Sequence, residues 1–159
     1  MPSTIPCLWF DGQAEQAAQH YTSIFPRSSI GHVARYGPDQ PGTEGAVMTI
    51  DFSLDGQKYV GLNGGPQFQF TEAISFQIMC TDQDEVDHYW TRLAEGGEEG
   101  PCGWIKDRFG VSWQVVPTRL NELIADPDPA RANRATQAML GMRKIDIAAL
   151  EHAADGLPV

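Results

Sequence analysis

The chain has 159 residues, 42% of them apolar and 20% charged, which suits one globular domain with a real core and argues against wholesale disorder. A formal net charge of −10 argues against a nucleic-acid or anionic-membrane partner, since both need a basic face. Three cysteines in no CxxC pair (Cys7, Cys80, Cys102), with no signal-peptide layout and no membrane-length apolar run, lead us to expect reduced thiols in a cytoplasmic protein.

In chain order, the alternating run Leu8-Trp9-Phe10 predicts a strand that passes through a polar turn into a helix over Glu15 to Phe25. Ala18, Tyr21 and Phe25 share one face of that helix at spacings of three and four. Ile30 to Tyr36 reads as a strand, followed by a Gly- and Pro-rich loop from Gly37 to Gly45. Ala46 to Leu54 alternates cleanly, with Met48, Ile50 and Phe52 on one face and Thr49, Asp51 and Ser53 on the other. Asp55-Gly56 then joins it to Tyr59–Asn63 as a tight hairpin. This first stretch reads β-α-β-β-β.

The same order then returns. Phe76-Gln77-Ile78 aligns with Leu8-Trp9-Phe10 inside a strand from Ile74 to Cys80, and Val86, Tyr89 and Leu93 take the places of Ala18, Tyr21 and Phe25. The second helix, Asp84 to Glu95, stops at Gly96-Gly97. Glu98 to Lys106 holds one or two short irregular strands, Asp107 to Gly110 is a turn, and Val111 to Val116 closes the unit before Pro117. Beyond it, Asp128 and Pro129 mark a helix start, with a helix to about Met142 and another from Lys144 to Ala154. These tail helices are rich in Ala, Leu and Met, so their apolar faces need burial against the body or a partner chain.

A duplicated β-α-β-β-β unit is the plan of the vicinal-oxygen-chelate superfamily, which includes glyoxalase I, extradiol dioxygenases, and fosfomycin- and bleomycin-resistance proteins. The chain resembles its PhnB-like branch, often labelled "3-demethylubiquinone-9 3-methyltransferase". The resemblance lies in Leu8 to Gly12 with Tyr21 and Phe25-Pro26, in Leu62 to Pro66, in Cys102-Gly103-Trp104 and in Lys106 to Pro117. It covers about residues 5 to 155 and extends to the tail run Lys144 to Leu150. It implies one α+β domain over residues 1–159, with units at about 4–66 and 72–117 and a helical tail at about 118–155. It also implies a curved, cup-like mixed sheet and a homodimer, often with units exchanged between chains. The methyltransferase label fits the residues poorly. A donor-binding methyltransferase shows a Gly-rich loop after its first strand, whereas Asp11-Gly12-Gln13-Ala14-Glu15 has a single glycine.

In metal-using relatives the ligands are histidine and glutamate on the cup face of the first and last strands of each unit, which the resemblance places here by the strand period of two. Leu8 and Phe10 pack on the helix, leaving Ile5, Cys7 and Trp9 on the cup face. Phe76 and Ile78 leave Ala73, Ser75 and Gln77; Trp113 and Val115 leave Ser112, Gln114 and Val116; Tyr59, Gly61 and Asn63 complete the set. None is a histidine or carboxylate, and Gln114 stands where a family glutamate sits, so no metal and no other cofactor is expected. His20 and His88 fall on helices, His32 on an edge-like strand and His152 in the tail, all read as surface or capping residues. Asp51 is either a solvated strand carboxylate or a charge near the cup, and Cys102 either a structural or an accessible thiol.

The expected ligand-binding set is therefore Cys7, Trp9, Asn63, Ser75, Gln77, Trp104 and Gln114, with Trp90 and Trp113 in the core. Aromatic walls with a few neutral amides suit a small aromatic or moderately apolar molecule. For Trp104 the alternative is a cap on the sheet end. The rival function is a metal-dependent glyoxalase- or dioxygenase-type enzyme whose ligands lie one strand step away.

Overall fold

The computed structural model describes residues 1–158. The chain falls into two compact units, Met1–Phe70 and a second that begins at Thr71.

In the first unit, β1 (Cys7–Phe10), α1 (Ala14–Ile24), β2 (Ser29–Arg35), β3 (Val47–Leu54) and β4 (Gln57–Asn63) build a four-stranded sheet in the order β1-β4-β3-β2. Strands β1 and β4 run parallel and the other pairs antiparallel. Helix α1 buries Ala14, Ala17, Ala18, Tyr21 and Ile24, and the sheet answers with Leu8, Phe10, Ile50, Phe52 and Tyr59. The contact is close because its residues are small: a Cβ on Gly61 would lie 3.1 Å from that of Ala14. Asp55 at φ 48 and Gly56 at φ 87 make the left-handed hairpin turn between β3 and β4 that the sequence predicts.

The second unit repeats the order with shorter strands. Strand β5 (Phe76–Cys80), α2 (Gln83–Ala94), β6 (Glu98–Glu99), β7 (Trp104–Lys106) and β8 (Ser112–Pro117) give a sheet ordered β5-β8-β7-β6, with β5 parallel to β8. Asp82 caps α2 by accepting from the Glu85 N–H at 2.9 Å, and Glu85 accepts in return from the Thr81 N–H at 2.8 Å. Helix α2 lays Val86, Tyr89, Trp90 and Leu93 over the side of the sheet that carries Ile78, Ile105, Trp113 and Val115.

Asp107, only 3% exposed, organises the β7–β8 hairpin. Its Oδ1 accepts from the Phe109 N–H (2.8 Å) and the Val111 N–H (3.0 Å), and its Oδ2 from the Trp113 indole N–H (2.8 Å). A carboxylate taken out of water is tolerated where several N–H groups replace its hydration.

The tail forms three helices: α3 (Thr118–Ile124), α4 (Pro129–Leu140) and α5 (Ile147–Ala154). Asp128 and Asp146 cap the last two, accepting from the N–H groups of Ala130 and Ala149. Helix α3 was not foreseen. It begins at Pro117 with no side-chain cap, and it is held by the burial of Leu120 and Leu123 instead. Much of the tail's apolar surface packs within this unit: Val116, Leu120, Leu123, Ala135, Ile145, Leu150 and Ala154 form one cluster, joined by Met139 and Met142, while Ile124 and Leu140 stay exposed. Val116 is thus packed against the tail, not on an open face as its register suggests. Polar stitches add to the cluster. The Gln83 amide donates to Ile145 O (3.0 Å) and accepts from Ile147 N (2.9 Å), while Cys102 N and Gly103 N donate to Met142 O and Arg143 O, both at 2.8 Å.

Replacing Asp107 by Ala leaves buried donors without an acceptor, so we expect a loss of about 3 kcal/mol of stability. Chemical denaturation monitored by circular dichroism measures it, and a loss below about 1 kcal/mol would contradict this account of the hairpin.

Candidate functional site

Strand alternation gives each sheet one helix-covered face and one open face. On the second sheet the open face carries Gln77 and Met79 from β5, Trp104 and Lys106 from β7, and Ser112 and Gln114 from β8. The ladder sets Gln77 and Trp104 directly opposite Gln114, and Lys106 opposite Ser112. The amides are linked: Gln77 Nε2 donates to Gln114 Oε1 at 3.3 Å, and Gln114 Nε2 donates to Ser75 Oγ at 2.8 Å. Ser75, Gln77, Trp104 and Gln114, all expected at the site, therefore do share one face.

The other three expected residues belong to the first unit, and they divide. Cys7 and Trp9 lie on the open side of β1, opposite in phase to the buried Leu8 and Phe10. Trp9, however, is already engaged within its own unit. Its indole N–H donates to Gly65 O at 2.9 Å, and its ring meets Phe68 edge-on at 4.9 Å. Asn63 is a correction. It sits on the helix side with Gly61 and Tyr59, where its Oδ1 accepts from Ala14 N (2.9 Å) and its Nδ2 donates to Val47 O (3.0 Å). It caps α1 from across the sheet, because Gln13 provides no side-chain cap. The inward placement of Tyr59 and Gly61 fails for the same reason, since Tyr59 stacks on Phe52 at 5.3 Å.

Trp90 and Trp113 are buried as expected, and Asp51 is exposed on β3. Asp51 and His32 border a shallow 330 Å³ depression on the first sheet, beside the Ser29 and Ser53 hydroxyls, which lie 3.1 Å apart. A depression of about 390 Å³ on the second unit is lined by Glu72, Glu98, Trp104, Lys106 and Ser112 among others. Glu72 forms an ion pair with Lys106, which holds the carboxyl below and the ammonium above their usual ranges. The Ser112 hydroxyl is buried there and has no hydrogen-bond partner.

Sequence reasoning placed Ser112 on this face but did not single out Glu72, Glu98 or Lys106. Taking Ile105 as core would have put Trp104 and Lys106 on the open face, but β7 is only three residues long and its alternation too brief to read.

The three cysteines are free. Burial raises the Cys7 thiol, and burial together with the Glu85 and Asp82 carboxylates pushes Cys80 up to about 12. Cys102 adopts φ 56, with its N–H spent on the tail. Among the described residues, no three His, Cys, Asp or Glu side chains come together in a way that would hold a metal ion, and no helix is long and apolar enough to cross a membrane.

Comparison with known proteins places this geometry. A family model described as 3-demethylubiquinone-9 3-methyltransferase matches residues 2–116. The solved structure of a PhnB protein from Bacillus cereus, which carries the same description, is similar at 33% identity and a TM-score of 0.66, over 73% of this chain and 99% of that one. A Pseudomonas aeruginosa protein (20% identity, TM-score 0.61, 74% of this chain and 98% of that one) and an Arabidopsis thaliana gene product (16%, 0.51, 73% and 98%) share the fold. No curated protein matches the chain.

Raised thiol pKa values mean little thiolate at pH 8, so in native protein we expect iodoacetamide to modify Cys7 more slowly than a free cysteine and Cys80 only after unfolding. Peptide mass spectrometry over a labelling time course reads both rates, and Cys80 modified as fast as Cys7 in native protein would contradict the placement.

Proposed function

The chain belongs to the family described as 3-demethylubiquinone-9 3-methyltransferase, a PhnB-like branch of the vicinal-oxygen-chelate superfamily, and on that premise we propose that it binds a small aromatic or moderately apolar molecule without a metal. The observation that carries this reading is the linked row Ser75, Gln114 and Gln77 beside the Trp104 indole on one open sheet face. Neutral amides and a hydroxyl orient a ligand through a few hydrogen bonds, and the indole supplies a flat apolar wall.

Metal-using members of the superfamily need a divalent ion, and the donors here do not fit one. Amide and hydroxyl oxygens on this face offer neither imidazole nor a convergent set of carboxylates. Methyl transfer gains no support from the topology either. Both sheets are four-stranded and mixed, and the turn after β1 reaches α1 through a single glycine, Gly12. A donor-binding enzyme presents a doubly wound parallel sheet with a Gly-rich first loop.

Gln114→Ala removes the centre of the amide row without touching the helix-packed face. We expect it to weaken binding of an aromatic ligand, found by a thermal-shift screen, by about tenfold while leaving Tm unchanged. Trp9→Ala is a poorer probe, because that indole anchors the 64–68 loop. Elemental analysis of protein purified without chelator completes the test: one equivalent of zinc, nickel or iron bound by side chains would overturn the reading in favour of a metal-assisted enzyme.

We further propose a homodimer. The tail supports this only in part, since most of its apolar residues pack within the second unit while Ile124 and Leu140 stay exposed. Support comes from Ile74 and Met79, 71% and 43% exposed at and before β5. A specific pair should bury on the order of 1,000 Å² or more, and a monomer by light scattering at tens of micromolar would refute it.

A further inference from the structure

The depression on the second unit holds more charge than a neutral binding face needs. Its lining includes the carboxylates Glu72, Glu98 and Glu99 against one ammonium, Lys106. Lys106 is already committed, ion-paired with Glu72 and facing Glu98 across the β6–β7 ladder. Glu99 turns one oxygen away, accepting from the Trp90 indole N–H at 3.0 Å. Negative charge therefore stands in excess at Glu98. The net charge of −10 sets a field of the same sign over the whole chain.

A second observation, independent of the acidic residues, points to a ligand. Ser112 lines the depression, is 3% exposed, and its hydroxyl has no hydrogen-bond partner. A buried hydroxyl left unpaired costs stability, so it is kept at a loss unless something bonds to it. Opposite Ser112 stands Lys106, and next along the ladder Trp104 faces Gln114. An indole face attracts a cation, best when the charge is partly desolvated.

We propose that this depression binds an organic ammonium compound, with its charged nitrogen among Glu98, Glu72 and Ser112 and its flat or apolar part against Trp104. This rests on the small-molecule-binding reading above and names the ligand class for the same face. An anionic ligand fits less well, because it would have to displace Glu72 from Lys106 and then face Glu98. Among the described residues no convergent trio of ligands suits a bare metal cation, which would gain nothing from Trp104.

Isothermal titration calorimetry on the full chain tests this with three probes alike in ring and differing in charge: tyramine, neutral 4-ethylphenol and anionic 3-(4-hydroxyphenyl)propionate. Tyramine should bind about tenfold or more tightly than either analogue, and more weakly as salt rises. Glu98→Gln and Trp104→Leu should each weaken it by roughly fivefold to tenfold. Lys106→Met should strengthen it several-fold, since a competing cation is gone. Ser112→Ala should weaken tyramine without lowering Tm, whereas a hydroxyl that merely supports the fold would lower it. Tighter binding of the carboxylate probe, or weaker tyramine binding by Lys106→Met, would overturn the proposal. If 4-ethylphenol binds as well as tyramine and Trp104→Leu weakens both, the ammonium assignment falls while the small-molecule reading stands. Binding of none of the three overturns both.

Discussion

One buried carboxylate decides which side chains share the open face of the second unit. Asp107 gathers the N–H groups of Phe109 and Val111 and the Trp113 indole around its two oxygens. That arrangement closes the turn and fixes where β8 starts relative to β7. A strand slipped by one residue turns every side chain to the opposite face. The pairing of Trp104 with Gln114 and of Lys106 with Ser112 therefore depends on the turn as much as on the strands, and β7 is too short to hold register alone. The same carboxylate satisfies the indole N–H of the large buried Trp113, so it binds the hairpin to the core below it.

Much of this was legible in the sequence, because each unit obeys simple periods. The two unit helices declare themselves through apolar residues three and four apart, the β3–β4 hairpin through Asp55-Gly56, and α4 through Asp128-Pro129. Register placed Ser75, Gln77 and Gln114 together on one face. What escaped was non-local or too short to show a period. Asn63 continues the alternation of β4, yet its role is set by the uncapped start of α1, 49 positions away. The strand period puts Trp9 on the face of β1 away from Leu8 and Phe10, but nothing local reveals that a loop more than fifty residues on folds back to claim it. Helix α3 has no start signal because burial, not capping, forms it.

The two units share a plan but not a load. The first spends several polar groups on itself: Asn63 caps, Trp9 holds the loop that follows β4, the Tyr36 hydroxyl donates to Asn63 O at the end of that strand, and Arg35 reaches Gly45 O. The second assigns its structural polar work to Asp107, Asp82 and Gln83, and leaves amides, a hydroxyl and an indole on its open face. Such a division is what a duplicated fold permits, since one copy can carry order while the other is free to diverge in chemistry.

The loop after β4 has an evolutionary consequence. Gly64 lies so close to the Trp9 indole that a side chain on it would overlap the ring. The two positions are therefore sterically coupled. A lineage that replaces Gly64 must first shrink residue 9, and one that keeps tryptophan there remains bound to glycine, however freely the neighbouring loop drifts. Among homologues the pair should change together or not at all.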